Sequence, residues 1–224
     1  MNIVIICSTN GSVLKKFLAD FKCEHKILIV SDRYCGVIEY AKDKDIEYKV
    51  FETNSGEKFS NFLYKEFKDK KIDLFISFYT KLLKGFFVER NLYKLINFHP
   101  SVLPSCPGLD GFGDTIKSGS RFFGSTVHFI DKGVDTGKYI LQSVHPLDHN
   151  ISYEFSRHRL FLQQVVSLAQ IIDWFDSARV KINNDIVEIK AALFKSNEFS
   201  PNLDLKYEDY IESQIALVAD LDKY

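Results

Sequence analysis

Three of the chain's five prolines fall in the eight residues from Pro100 to Pro107, and no other stretch limits the fold as tightly. Each proline fixes φ and removes a backbone donor, so residues 100–107 form neither a regular helix nor a central strand and must be a rigid loop. Residues 92–98, just before it, read as a strand that ends on Asn97 and delivers His99 to the loop. At i and i+2 of an extended chain these two side chains project to the same side. An amide and an imidazole so placed can face one reacting atom, although either taken singly is equally a satisfied turn residue.

Upstream, Asn2–Cys7 is a continuous β-branched run of the kind buried on both faces of a parallel sheet. Ser8-Thr9-Asn10-Gly11-Ser12 interrupts it, and Val13, Leu14, Phe17, Leu18 and Phe21 then recur at helical spacing. A strand, polar turn and helix in this order present backbone N–H groups to a phosphate or another anion. Asn-Gly-Ser is also an ordinary tight turn with a helix cap, and these residues leave both readings open. Further strands at Lys26–Ser31, 46–51 and 72–77 alternate with helical patterns at 37–44 and 60–67. The expected fold is therefore α/β, a doubly wound, mostly parallel sheet of Rossmann type, with its site at the carboxyl ends of the strands.

Residues 126–130 and 139–145 read as strands flanking Asp131-Lys132-Gly133-Val134-Asp135-Thr136-Gly137, which places Asp135 on a loop between antiparallel partners. A long helix over 152–175 follows, with Arg159, Gln163, Gln164 and Asp173 among its polar positions. Then come a β-hairpin (180–182 and Ile186–Ile189, around Asn183-Asn184-Asp185), a linker at 197–205 and a final amphipathic helix. The expected division is a catalytic domain over 1–178 and a hairpin-and-helix extension over 179–224, the hairpin packing on the body or, in a homodimer, on a second subunit.

The 29 basic and 30 acidic residues nearly cancel and form no basic block, which argues against nucleic acid or an anionic membrane as partner. Cys7, Cys23, Cys35 and Cys106 lack C-x-x-C spacing, and no run is long enough to span a membrane, as expected of a soluble cytoplasmic protein. His145 and His149 flank Pro146 with no third ligand nearby, so they read as surface residues and no metal is expected.

The block 97–108, with Gly124-Ser125-Thr126-Val127-His128-Phe129 and Gly133-Val134-Asp135-Thr136-Gly137, resembles the folate-dependent formyltransferase family. The resemblance implies N10-formyltetrahydrofolate as donor and a catalytic trio of Asn97, His99 and Asp135. Asn97 would stabilise charge on the formyl oxygen, His99 would donate a second hydrogen bond or carry the amine's proton, and Asp135 would orient that imidazole. It also implies a cis peptide at Leu103-Pro104. The folate would be held mostly by backbone groups of Phe78, Tyr79, Lys81, Leu82 and Leu83, and of Ile130, Asp131, Gly133 and Val134. The acceptor would lie against Thr9, Asn10, Gly11, Ser12, Asp110 and Gln164.

Three positions depart from the family branch that formylates glycinamide ribonucleotide in purine biosynthesis. Val13 replaces an Asn in the phosphate loop, Asp110 replaces a His, and Gln164 replaces a ribose-binding Glu. All three fall on the acceptor side, so the expected acceptor is the amine of a nucleotide-linked amino sugar, such as a dTDP-amino-dideoxyhexose of O-antigen biosynthesis, with glycinamide ribonucleotide as the alternative.

Overall fold

The computed structural model describes residues 1–221, with side chains to residue 217; residues 222–224 of the expected extension lie outside the described residues. Among the described residues, ten strands and seven α-helices occur in the order β1 (Asn2–Cys7), α1 (Ser12–Asp20), β2 (Lys26–Ser31), α2 (Gly36–Asp43), β3 (Glu47–Val50), α3 (Gly56–Phe67), β4 (Leu74–Phe78), α4 (Phe86–Arg90), β5 (Leu95–His99), α5 (Gly111–Lys117), β6 (Phe122–Phe129), β7 (Tyr139–Pro146), α6 (Tyr153–Asp176), β8 (Val180–Asn183), β9 (Ile186–Ile189), β10 (Phe199–Ser200) and α7 (Tyr210–Leu221). Eight strands form one sheet in the order β10-β7-β6-β5-β4-β1-β2-β3, and β8 pairs with β9 separately. The doubly wound α/β fold, hairpin and final helix are as expected.

By contacts the chain groups into two compact units, Met1–Phe98 with His128–Lys138, and His99–Val127 with Tyr139–Tyr224. In the first, β1 pairs in parallel with both β2 and β4, so the strand order reverses beside β1. The carboxyl ends of β1 and β4 flank this switch point, where open α/β sheets bind ligands. Phe59, Leu63 and Phe67 of α3 close one face over Val4, Ile6 and Phe75. Ser55 caps that helix by accepting a hydrogen bond from the Lys58 N–H at 3.2 Å.

The second unit is built on α6, capped by Ser152, which accepts from the Phe155 N–H at 3.2 Å. Of its polar positions, Arg159, Gln163 and Gln170 are buried. The supposed linker supplies the reason. Glu198 accepts from Arg159 and Gln163, Asp204 exchanges hydrogen bonds with Gln170, and Tyr207 donates to Asp173 at 2.6 Å. Residues 197–205 are thus a packed strip, and Phe199–Ser200 within it pairs with β7. The hairpin turns through Asn184 and Asp185, both at positive φ as a tight two-residue hairpin turn requires. It packs against β7 of its own unit, while Arg179 at its base donates to Asp204 at 2.7 Å. Leu103-Pro104 is cis as expected, and Ser200-Pro201 is cis as well.

Among the described residues, no helix is long and apolar enough to cross a membrane, and no group of three His, Cys, Asp or Glu residues is placed to hold a metal ion. His145 is only partly a surface residue, its Nδ1 lying 3.4 Å from Glu198 Oε1, whereas His149 is exposed and reaches the Ser120 carbonyl.

Candidate active site

Strand β5 carries Asn97 and His99 at its carboxyl end, separated by Phe98, whose ring stacks on Phe78 of β4 at 5.0 Å. Asn97 is half-buried and His99 is buried. In the first unit, Asn97 Nδ2 lies 3.3 Å from His128 Nε2, and Asp135 Oδ1 lies 3.6 Å from the same nitrogen. His128 Nδ1 is 2.8 Å from the Phe129 carbonyl and must donate to it, so Nε2 of the neutral ring accepts from the Asn97 amide. His128 belongs to the quoted motif but had been given no role. Its signal was the alternation of β6, which puts Thr126 and His128 on one side.

The loop from Asp131 to Gly137 brings Asp135 there. Asp131 Oδ1 accepts from the Gly133 N–H at 2.9 Å and from the Thr136 hydroxyl at 2.8 Å, closing the turn on itself. A Cβ on Gly137 would come within 1.8 Å of the Phe129 carbonyl oxygen, so only glycine allows this approach. Asp135 itself sits at φ 54, a left-handed conformation that Asp tolerates better than most residues.

In the second unit the proline loop folds onto His99. Its Nε2 donates to the Cys106 carbonyl at 2.8 Å, and Ser101 donates to the carbonyls of Ser105 and Cys106. Gly111 is required here, because a Cβ would stand 2.7 Å from His99 Nε2. Asp110 caps α5 by accepting from the Gly113 N–H, with Lys117 3.6 Å away. Gln164 is half-buried on α6, next to the wholly buried Gln163.

The two stretches expected to hold folate meet in one apolar cluster of the first unit, where Tyr79, Leu83 and Ile130 pack with Phe59 and Phe87. Leu83 is buried, so its backbone is the part able to read a ligand, while Leu82 and Val134 are exposed. At the polar turn, Gly11 is the N-cap of α1 at φ 68 with no side-chain cap, and Ser12 opens the helix. Thr9 is exposed and Asn10 Oδ1 accepts from Lys15 at 2.7 Å, so a cation stands at this helix terminus. Beside it, Ser8 and Thr80 exchange a hydroxyl hydrogen bond of 3.0 Å between the ends of β1 and β4.

Residues 1–170 match the family model described as formyl transferase. The chain belongs to the formyl transferase family. A phosphoribosylglycinamide formyltransferase of Bacillus subtilis (strain 168) is 30% identical over 165 residues, 70% of this chain and 85% of that protein. The enzyme of that name from Mycobacterium tuberculosis is 26% identical, over 75% of this chain and 84% of its own. Among solved structures, glycinamide ribonucleotide transformylase 1 of Symbiobacterium toebii superposes with a TM-score of 0.76 at 25% identity, over 85% of this chain and 94% of its own. As a member of this family the chain is an N-formyltransferase that draws its formyl group from N10-formyltetrahydrofolate.

Proposed function

We propose that the acceptor is the primary amine of glycinamide ribonucleotide. The observation that carries this reading is the likeness to the Bacillus subtilis protein named for that reaction, which extends over 85% of its length. This reverses the order expected from the sequence, which put a nucleotide-linked amino sugar first on the strength of Val13, Asp110 and Gln164. Two of those departures have local roles: Val13 is half-buried on α1 and Asp110 is a helix cap. Gln164 retains hydrogen-bonding capacity for ribose hydroxyls. Lys15 and the backbone at Gly11 and Ser12 suit the acceptor's phosphate.

In this reading the amine attacks the formyl carbon, negative charge develops on the formyl oxygen, and breakage of the bond to N10 sends the amine's proton to the departing folate. Asn97 has two amide hydrogens; one is directed to His128 and the other is the donor to the formyl oxygen. His128 thereby sets which way the amide faces. His99, fixed by the hydrogen bond from its Nε2–H to the Cys106 carbonyl, serves as the carrier of the amine's proton. The carboxylate of Asp135 stabilises positive charge on the attacking nitrogen and on the His128 imidazole beside it.

The test is a formyl-transfer assay on the purified chain with N10-formyltetrahydrofolate, against glycinamide ribonucleotide and a panel of dTDP-amino sugars. Turnover of the ribonucleotide is expected; turnover of an amino-sugar nucleotide alone would restore the other acceptor. The proposed homodimer, through the outer face of the hairpin where Ile186 is 65% exposed, is read separately by sedimentation.

A further inference from the structure

Asp32 directly follows β2, and its side chain is 0% exposed. Its carboxylate accepts from Arg33 Nε at 2.7 Å and Nη2 at 2.9 Å, from Lys81 Nζ at 2.7 Å, and from the Tyr79 hydroxyl at 3.1 Å. Its main chain is held as well, the carbonyl accepting from the Thr53 N–H at 3.0 Å. A carboxylate is kept out of water only when hydrogen bonds and opposite charges replace hydration, and here they do. Burial pushes its pKa up, but the bonds from Arg33, Lys81 and Tyr79 outweigh that and hold it below the usual carboxylate range.

Two of these partners, Tyr79 and Lys81, lie in the segment 78–83. Other ties fix the same segment: the Thr80 N–H donates to Ser8 at 3.3 Å, and the Tyr79 ring packs on Phe59 at 5.0 Å. Gly56 lets the Leu82 carbonyl approach so closely that a Cβ there would stand 2.8 Å from it. Asp32 draws the polar ends of alternate side chains inward, which orients the main chain between them. A segment that reads its ligand through backbone groups depends on such anchors, because the direction of its peptide planes is what the ligand meets.

We propose that Asp32 is a positioning residue for the formyl donor, acting through Tyr79 and Lys81 on the backbone of residues 78–83. The proposal rests on the reading that this segment holds the folate. Within it, Lys81 acts as an arm of the anchor.

The test measures binding of the stable analogue 5-formyltetrahydrofolate to the full chain by calorimetry, together with thermal unfolding. Asp32→Asn keeps the shape and removes the charge; Kd is expected to rise about tenfold or more at a temperature where the variant is fully folded. Lys81→Met is expected to weaken binding, Lys81→Arg to retain it, and Lys81→Met added to Asp32→Asn to cost nothing more. A Kd for Asp32→Asn within about twofold of the unsubstituted chain, or an additive double variant, overturns the proposal. Should Asp32→Asn fail to fold, Tyr79→Phe and Lys81→Met leave the carboxylate paired with Arg33 and decide the matter, unchanged binding in both overturning it. An unsubstituted chain that does not bind the analogue overturns the folate reading itself.

Discussion

Asp32 in the first unit and Glu198 in the second present related physical problems, a carboxylate wholly or mostly removed from water, and both solve it with an arginine gripping both oxygens. The solutions differ in where the partners come from. Those of Asp32 are its own neighbour and two residues of one turn after β4, and Arg33 and Lys81 leave the cluster one positive charge in excess. Those of Glu198 come from separate elements, His145 of β7 and Arg159 and Gln163 of α6, while Glu212 of α7 shares the arginine. That second cluster is one negative charge in excess when His145 is neutral. Partners concentrated on one loop shape a surface for a ligand, whereas partners drawn from many elements tie those elements together.

If that contrast holds, the largest stability effect belongs to the second unit. Glu198→Ala leaves Arg159, with a side chain 9% exposed, without its bidentate partner. It is expected to cost about 3–5 kcal/mol of folding stability, read by urea unfolding. A loss under 1 kcal/mol would mean that the strip 197–205 is not the clasp described here.

Acid sharpens the same point. Burial pushes the Glu198 carboxyl up, but hydrogen bonds from His145, Arg159 and Gln163 outweigh it and hold the pKa at about 2, against 4.5 for an ordinary Glu. Because the folded-state value is the lower one, this stability is fully present above pH 4.5 and is lost as pH falls through about 2. It amounts to something on the order of 3 kcal/mol, and Glu198→Gln should lack that acid limb. An identical acid profile for the variant would contradict the assignment.

In the first unit, Asn97→Ala should leave the chain folded and lower turnover on the order of 10²-fold or more, as for loss of one oxyanion donor. Substantial turnover in the folded variant would remove Asn97 from the mechanism. The smallest effect expected is that of Ser152→Ala, which uncaps α6 and should cost about 1 kcal/mol with kcat unchanged. A change in kcat there would show that the start of α6 reaches the chemistry.

The sheet was legible because buried parallel strands are written as unbroken β-branched runs, and β1 and β2 begin and end at the expected residues. The short helices α4 and α5 were not expected, since five and seven residues are too few to display a helical period. At the site, Asn97, His99 and Asp135 stood out through their motifs. Asp32 did not, because the partners that explain it are 47 and 49 residues away and nothing local marks the pairing. The buried face of Arg159 was hidden in the same way, its partners lying 39 and 53 residues downstream.

The pairing of Phe199–Ser200 with β7 has a consequence for solubility. β7 is eight residues long, and at the sheet's edge it would offer a row of unpaired backbone groups to any passing strand. Two residues of β10 occupy part of that row, and Pro201 follows at once with no N–H to continue the ladder. The opposite edge, β3, is only four residues long and carries Glu47 and Lys49, so it needs no cover. A chain cut short before residue 197 would lose that cover along with its clasp on α6, and would be expected to associate with itself through the bared edge of β7.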